Sequence, residues 1–415
     1  MTHTTEGAHR LLAINNYFYR RGGAEAVFLD HIRLFSEIGW QTAPFAMQHP
    51  DNFPSDWSSY FVSEIEYGRE SGLLTKVAQA GKIIYSWEAR DRIKALIERF
   101  RPDVAHAHNV YHHLSPSIFP VLKDAGIPTV MTAHDLKLAC PAYKMLSHNQ
   151  ICERCKGGRI YNVALHKCIK DSTALSGLVF VETAIHRMLG LYRNTLDRIV
   201  VPSRFYVEKL VEWGWPREKL VYIPNFAQTG TLKPFQDEGD YFAYVGRLAP
   251  EKGIGTLIRA AAMAGQKLVI AGTGPEEQAL KTLANQTGGD VTFAGYVSGD
   301  PLHRLIGEAR ALVLPSEWYE NAPISILEAY ALGVPVIGAD IGGIPEMIVE
   351  GETGMIARAA DAGDLARVIG AVAALAPQAR REMGRAGREW AGREFSPEAY
   401  RSRTLELYAE LGAFR

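Results

Sequence analysis

The chain has no long apolar run. None approaches the roughly 18 residues needed to cross a bilayer, and the opening stretch MTHTTEGAHR lacks the apolar centre of a secretory leader. A cytoplasmic location is therefore expected. Net charge is also nearly absent, because 45 Lys and Arg stand against 46 Asp and Glu. A nucleic-acid binder would need a basic surplus, so no nucleic acid is expected as a partner. No Walker A sequence occurs, which argues against an NTPase. Two glycine-bearing loops, R-R-G-G at Arg20 and A-G-T-G-P-E-E at Ala271, both miss the G-x-G-x-x-G pattern; the second carries Glu277 where the last glycine belongs. A dinucleotide oxidoreductase is disfavoured accordingly. No internal repeat or low-complexity segment stands out. Cysteine is scarce, with four in 415 residues.

What is present is length and alternation. A chain of 415 residues exceeds one ordinary core, so two domains are expected. Short apolar strands read at Leu11–Ile14, Val104–Ala107, Thr129–Thr132 and Ile199–Val201. A second set reads at Tyr241–Val245, Leu268–Ala271, Val291–Phe293, Ala311–Leu314 and Val334–Ile337. Helical spacing fills the intervals, as in Ala24–Ile38, where Val27, Leu29, Ile32, Leu34, Phe35 and Ile38 supply a buried face. Strands alternating with helices imply parallel sheets covered on both faces. The fold class is α/β, with two Rossmann-like parallel-sheet domains facing a central cleft. The polar, turn-rich stretch from Pro224 to Gly239 marks the boundary.

Ligands of such sheets bind beyond the carboxyl ends of the strands, and several chemistry-bearing groups fall there. Arg247 and Lys252 follow the strand ending at Val245, with Gly246 and Gly253 beside them. An Arg fork and a mobile Lys charge suit a diphosphate; a solvated basic loop is the plainer reading. Glu320 and Glu328 are separated by seven residues where a loop enters a helix. Carboxylates there can accept from several hydroxyls, and free N–H groups at the helix start can face a phosphate. Gly22 and Gly23 sit between the first strand and its helix, with Arg20 and Arg21 making the loop basic. His134 and Asp135 follow the strand Thr129–Thr132, while His106–Asn109, His112 and His113 end another and are candidates for the acceptor side.

Together these stretches resemble the retaining glycosyltransferases of family 4, which have a GT-B fold. The pair Glu320 and Glu328 resembles that family's E-x(7)-E motif; YFYRRGGAE, VYIPNF, YVGRLAPEKGI and IGGIPEMIVEGETG resemble its further elements in order. The resemblance implies an enzyme, a retaining hexosyltransferase with metal-independent catalysis. Its donor would be a nucleotide sugar, and its acceptor a glycan or lipid-linked glycan in surface polysaccharide synthesis. Peripheral attachment at the inner face of the cell membrane would follow from a lipid-linked acceptor. In that picture the catalytic set is Glu320, His134, Arg247 and Lys252. Donor binding falls to Gly22, Gly23, Asn225, Arg247, Lys252, Asn321, Ala322, Ile324 and Glu328. Pro323 breaks the commoner form of the loop, because it has no N–H to offer; Asn321 adds an amide instead. The domains would be 1–225 on the acceptor side, 226–395 for the nucleotide sugar, and 396–415 as a helix crossing back. Two rivals share the pattern: a GT-B sugar-nucleotide epimerase and a non-catalytic sugar-binding scaffold.

The four cysteines, Cys140, Cys152, Cys155 and Cys168, all fall in an insert near residues 138–171. Cys152 and Cys155 form a C-x-x-C knuckle. Four thiolates suit a structural zinc; redox or disulfide chemistry and unligated thiols are the alternatives. No cofactor is required for the catalysis the resemblance implies.

Overall fold

The computed structural model describes residues 8–64, 80–111, 113–227, 232–234 and 239–414. His112 and parts of the stretch 224–239 lie outside the described residues. The first sheet contains β1 (Arg10–Ile14), β2 (Gln41–Phe45), β3 (Val104–Ala107) and β4 (Thr129–Thr132). A small antiparallel hairpin, β5 (Leu146–Ser147) and β6 (Gln150–Ile151), interrupts the series. The sheet resumes with β7 (Arg198–Val201) and β8 (Leu220–Tyr222), in the order β2-β1-β3-β4-β7-β8, all parallel. The second sheet contains β9 (Tyr241–Val245), β10 (Lys267–Ala271), β11 (Val291–Gly295), β12 (Leu312–Leu314), β13 (Val336–Ala339) and β14 (Gly354–Ala357). Its order is β11-β10-β9-β12-β13-β14, again all parallel.

Three strands, β2, β8 and β14, are additional to those expected from the sequence. Pro44 interrupts the run of β2, which is tolerated because β2 is an edge strand. β8, of three residues, and β14, of four, each add to the far edge of their sheet by pairing with one neighbour, β7 and β13. The strand expected at Val334–Ile337 begins two residues later, at Val336, after Pro335.

Each sheet is packed on both faces. Leu12, Ile14, Ala105 and Met131 point into one cluster of the first domain, and Leu11, Ala13, Val104 and Val130 into another. This alternation along each strand is what a doubly covered sheet requires. The second domain repeats it, with Phe242 and Tyr244 on one side and Ala243 on the other. Phe395, at the end of the helix Pro377–Glu394, belongs to the second core. Five residues on, Tyr400 belongs to the first, as do Leu407 and Tyr408. The chain thus returns to the first domain through the helix Pro397–Glu410, whose start is capped by the Ser396 hydroxyl.

In both sheets the strand order reverses beside the first strand. The reversal lies between β1 and β3 in one domain and between β9 and β12 in the other. Helices leave on opposite faces at such a point and open a crevice at the strands' carboxyl ends. The loops after β1, β3, β9 and β12 therefore frame the candidate site.

Candidate active site

Arg247 and Lys252 stand on the loop after β9. Gly253 closes this loop with φ 67°, and a Cβ there would lie 1.9 Å from the Pro315 carbonyl oxygen. Only glycine lets the two loops at the switch point meet so closely. Both cations are held by carboxylates. Lys252 Nζ donates to Glu320 Oε1 at 2.6 Å and lies 5.1 Å from the centre of the Trp318 ring. Arg247 pairs with Glu251, which also accepts from Lys144 Nζ at 2.8 Å. Burial alone would raise the Glu251 carboxyl, but Lys144 and Arg247 hold it below its ordinary value.

Glu320 is buried and accepts through one oxygen from both Lys252 and the Ser316 hydroxyl, the latter at 2.7 Å. Glu328 lies on the helix Ile324–Ala331. Burial raises its carboxyl, and Arg20 on the loop after β1 draws it back. That same loop approaches the donor-side helix at Gly23, where a Cβ would sit in ordinary contact with Ile324. Gly22 has extended backbone and Gly23 starts the helix Gly23–Glu37. The sequence-derived set Gly22, Gly23, Ile324 and Glu328 is thus gathered at one place, with Lys252 and Glu320 beside it on the loops of the same sheet.

Asn321 and Asn225 have other partners. Asn321 Nδ2 donates to the carbonyls of Ala133 and His134 at 3.0 and 3.3 Å, and its Oδ1 accepts from the Ser203 hydroxyl at 2.9 Å. Asn225 Nδ2 donates to the Ala322 carbonyl at 2.9 Å. These amides, expected at the donor, tie one domain to the other in this conformation, Asn321 through carbonyls just after β4 and Asn225 through a carbonyl of the Glu320 loop. Glu346 adds to the same seam. It accepts from the N–H groups of Arg204 and Phe205 at 2.7 and 2.5 Å, at the start of the helix Arg204–Glu212. A carboxylate there meets the positive end of the helix dipole. Gly343 lies under this seam: an added Cβ would be 1.9 Å from the Asn321 carbonyl oxygen. Gly343→Ala should therefore displace the Glu320–Asn321 loop and cost roughly 2 kcal/mol or more. Thermal unfolding checks this; an unchanged melting temperature would contradict it.

His134 follows β4, and its Nε2 is 2.8 Å from His108 Nδ1. His108 stacks in turn on His106, whose ring nitrogens reach Tyr408 Oη and Thr132 Oγ1 at 2.6 and 2.7 Å. His31 continues the column to Tyr400 and Tyr408 of the last helix, at 2.9 and 3.2 Å. Burial lowers every one of these imidazoles, His134 to about 4 and His31 to about 3, so each is neutral at pH 7. A neutral His134 can donate to or accept from a hydroxyl. Next to it, burial lifts the Asp135 carboxyl to about 6, against the pull of the Lys137 N–H and charge.

Sequence reasoning missed Ser316, Glu251, Lys144, Ser203, Glu346 and Glu25. Glu25 lies buried in the first turn after the glycine pair; burial raises its carboxyl, with Arg21, Asn109 and the Gly22 backbone drawing it back. An acidic residue two positions after a glycine pair was the one available signal. Ser316 and Glu251 stand four residues from the groups they contact, Glu320 and Arg247, whereas only the fold brings Lys144, Ser203 and Glu346 across the cleft.

The four cysteines converge. Cys140, Cys152, Cys155 and Cys168 line a single cavity with Ala142, Leu146, Asn162, Val163 and His166. All four are free thiols. Among the described residues, no three His, Cys, Asp or Glu side chains already stand at the spacing of a metal's ligands. No helix among the described residues is long and apolar enough to cross a membrane.

Comparison with known proteins places this geometry. Residues 21–230 match the family model described as Glycosyltransferase Family 4, and residues 233–390 match Glycosyl transferases group 1. An alpha-maltose-1-phosphate synthase from Mycolicibacterium smegmatis is 33% identical over 332 residues, 75% of this chain and 79% of that protein. A GDP-mannose-dependent alpha-(1-6)-phosphatidylinositol monomannoside mannosyltransferase from Mycobacterium tuberculosis is 37% identical over 237 residues, 49% of this chain and 61% of that protein. Some curated relatives are thus matched over less than two thirds of their length. The solved structure of sucrose-phosphate synthase from Thermosynechococcus elongatus superposes with a TM-score of 0.71 at 21% identity, covering 98% of this chain and 99% of that one. The chain belongs to the group 1, family 4 glycosyltransferases and has the two-domain GT-B fold.

Proposed function

We propose that the chain transfers a hexose from a nucleotide-sugar donor, with retention of configuration and without a catalytic metal. The acceptor is a glycan or lipid-linked glycan of surface polysaccharide synthesis. The observation that carries this reading is the pairing of Lys252 with Glu320 at the second sheet's switch point, with Arg247 on the same loop. An incoming diphosphate meets two cations already fixed there, which suits a leaving group that gains negative charge. Because those cations supply the charge, no divalent ion is needed to do so.

The remaining groups divide the donor between them. Glu328 receives the ribose hydroxyls, and its depleted solvation strengthens each such bond. Glu320, one oxygen occupied by Lys252 and Ser316, offers the other to a sugar hydroxyl. His134, neutral and fixed by His108, faces the sugar from the other domain. The helix start at Ile324 and the backbone at Gly22 and Gly23 approach the phosphates. With no separate nucleophile in the proposal, the acceptor hydroxyl attacks on the face the diphosphate leaves, and the departing phosphate oxygen takes its proton. The protein contributes orientation and charge stabilisation, and closure of the interdomain seam excludes water. A lipid-linked acceptor would bring the enzyme to the cytoplasmic face of the membrane.

The mycobacterial mannosyltransferase, GDP-mannose-dependent by name, supports a nucleotide-sugar donor. The test is a panel of nucleotide sugars with glycan and lipid-linked acceptors, the product's anomeric configuration being read by nuclear magnetic resonance. Retention is expected, and transfer should persist in excess chelator. Inversion would overturn the mechanism. Activity abolished by brief chelation and restored by magnesium or manganese would overturn metal independence. Donor altered with no acceptor present would point to an epimerase instead.

A further inference from the structure

We propose that Cys140, Cys152, Cys155 and Cys168 bind one zinc ion as four thiolates, and that the ion braces the insert against the second domain. The chain has four cysteines, and the fold brings all of them to the wall of one cavity of about 10 Å³. That is room for one ion or one water-sized occupant. Two of the four come from the C-x-x-C knuckle, which turns at once into left-handed backbone at Gly157 and Gly158, φ 69° and 85°. Such a turn lets two thiols from one strand end point the same way.

The insert has little else to order it. Its regular elements are the two-residue strands β5 and β6, one turn at Lys156–Gly158 and the four-residue helix Asn162–Leu165. Tyr143, Met145, His148, Asn149, Lys167, Lys170 and Asp171 all have positive φ. His148 and Asn149 are accounted for by the tight hairpin turn. The other five are strained conformations that persist only where their surroundings hold them. A cross-link at the centre of the segment does that, since metal binding and local folding are one equilibrium.

Charge agrees. Zinc with four thiolates carries two negative charges. Arg154 Nη1 lies 3.8 Å from Cys152 Sγ, and Arg187 Nη2 donates to the carbonyl of Ala139, the residue before Cys140, at 3.2 Å. Binding releases the four thiol protons to solvent and requires the side chains to swing inward around the cavity they already line. No oxidant or reductant is involved.

The consequence reaches the cleft. Lys144, between Cys140 and Cys152, bonds Glu251, the partner of Arg247. Glu153, inside the knuckle, accepts from Tyr319 Oη at 3.1 Å and from Lys209 Nζ at 2.9 Å. Tyr319 directly precedes Glu320. The ion thus fixes two struts that run from the insert to the loops bearing Arg247 and Glu320.

The full chain, expressed without a histidine tag in zinc-supplemented medium, is analysed for metals. About one equivalent of zinc is expected, and cobalt in its place should give the visible bands of a tetrahedral thiolate site. Cys155→Ser should lose most of the zinc; Cys155→His should retain it, and His166→Ala should leave it unchanged. Should Cys155→Ser fail to fold, the wild-type stoichiometry and the cobalt spectrum still decide. Zinc far below one equivalent with four reactive thiols, disulfides by mass spectrometry, or iron with sulfide would overturn the assignment. None of these readouts uses a sugar donor, so they are separate from the transfer assay. An active enzyme without zinc would sink this inference alone.

Discussion

Lys252→Ala is expected to lower turnover by about a hundredfold or more while the fold survives. Two effects add in the same direction. The substitution removes a charge-assisted donor from the place where the leaving diphosphate gains charge, and loss of one such donor costs about 2.7–4 kcal/mol. It also leaves Glu320, which is 7% exposed, with only the Ser316 hydroxyl at its occupied oxygen. An unpaired buried carboxylate is costly, so Glu320 should shift toward solvent, and that movement misplaces the sugar. Arg247→Ala should also reduce transfer sharply. Its side chain is 54% exposed, so the loss should come mainly through the missing phosphate contact rather than through collapse of the loop. Lys252→Arg restores the charge but not the reach of a single ammonium, and should recover only part of the rate. Steady-state kinetics beside a circular dichroism spectrum checks all three. Rates near wild type for both alanine variants would remove the clamp from the mechanism.

The parts of this site that could be read from sequence are those fixed by local chemistry. Arg247, Lys252, Glu320 and Glu328 lie on loops that directly follow strands, and strand position follows from short apolar runs. The topology of a doubly wound sheet then carries those loops to one end. What local pattern does not encode is who faces whom across two domains. Asn321 looks like a donor ligand because it neighbours Glu320; its amide is taken by carbonyls at the end of β4, some 187 residues away in sequence. Glu346, an unremarkable acid in sequence, caps a helix of the other domain. The edge strand β2 escaped notice for a related reason. Its proline is permitted by its place in the sheet, which the segment itself does not reveal. The cysteine insert lies between these cases: clustering was visible in the chain, whereas the struts from Lys144 and Glu153 to the second domain were not.

The histidine column gives the largest expected response to pH. His31, His106 and His108 are fully buried. His31 is lowered to about 3 by burial, and His106 and His108 lie well below their usual value for the same first reason, with neighbouring imidazoles adding to it. In the unfolded chain each titrates near the ordinary value of about 6.5. Below that pH the unfolded state binds protons that the folded state refuses, so stability falls as pH falls. The full stability is present above pH ~6.5 and is lost progressively toward the depressed folded values. For His31 at pH 5 the loss is about 2 kcal/mol, from 1.36 kcal/mol per pH unit. His106 and His108 add in the same direction. Asp135, raised to about 6, works the other way: the stability it costs at neutral pH is recovered as pH drops below 6, which offsets part of one histidine's loss. The net expectation is a melting temperature that is flat above pH 7 and drops steeply between pH 6.5 and 5. The column also joins the two ends of the chain, since His31 and His106 hold the last helix through Tyr400 and Tyr408. Protonation should therefore release the helix Pro397–Glu410 first, seen as early amide exchange there at pH 5.5. His31→Gln keeps a neutral hydrogen-bonding group and should flatten the acid limb. A melting temperature independent of pH between 5 and 7 would show that these imidazoles are solvated, and would remove the column from any account of the protein's stability.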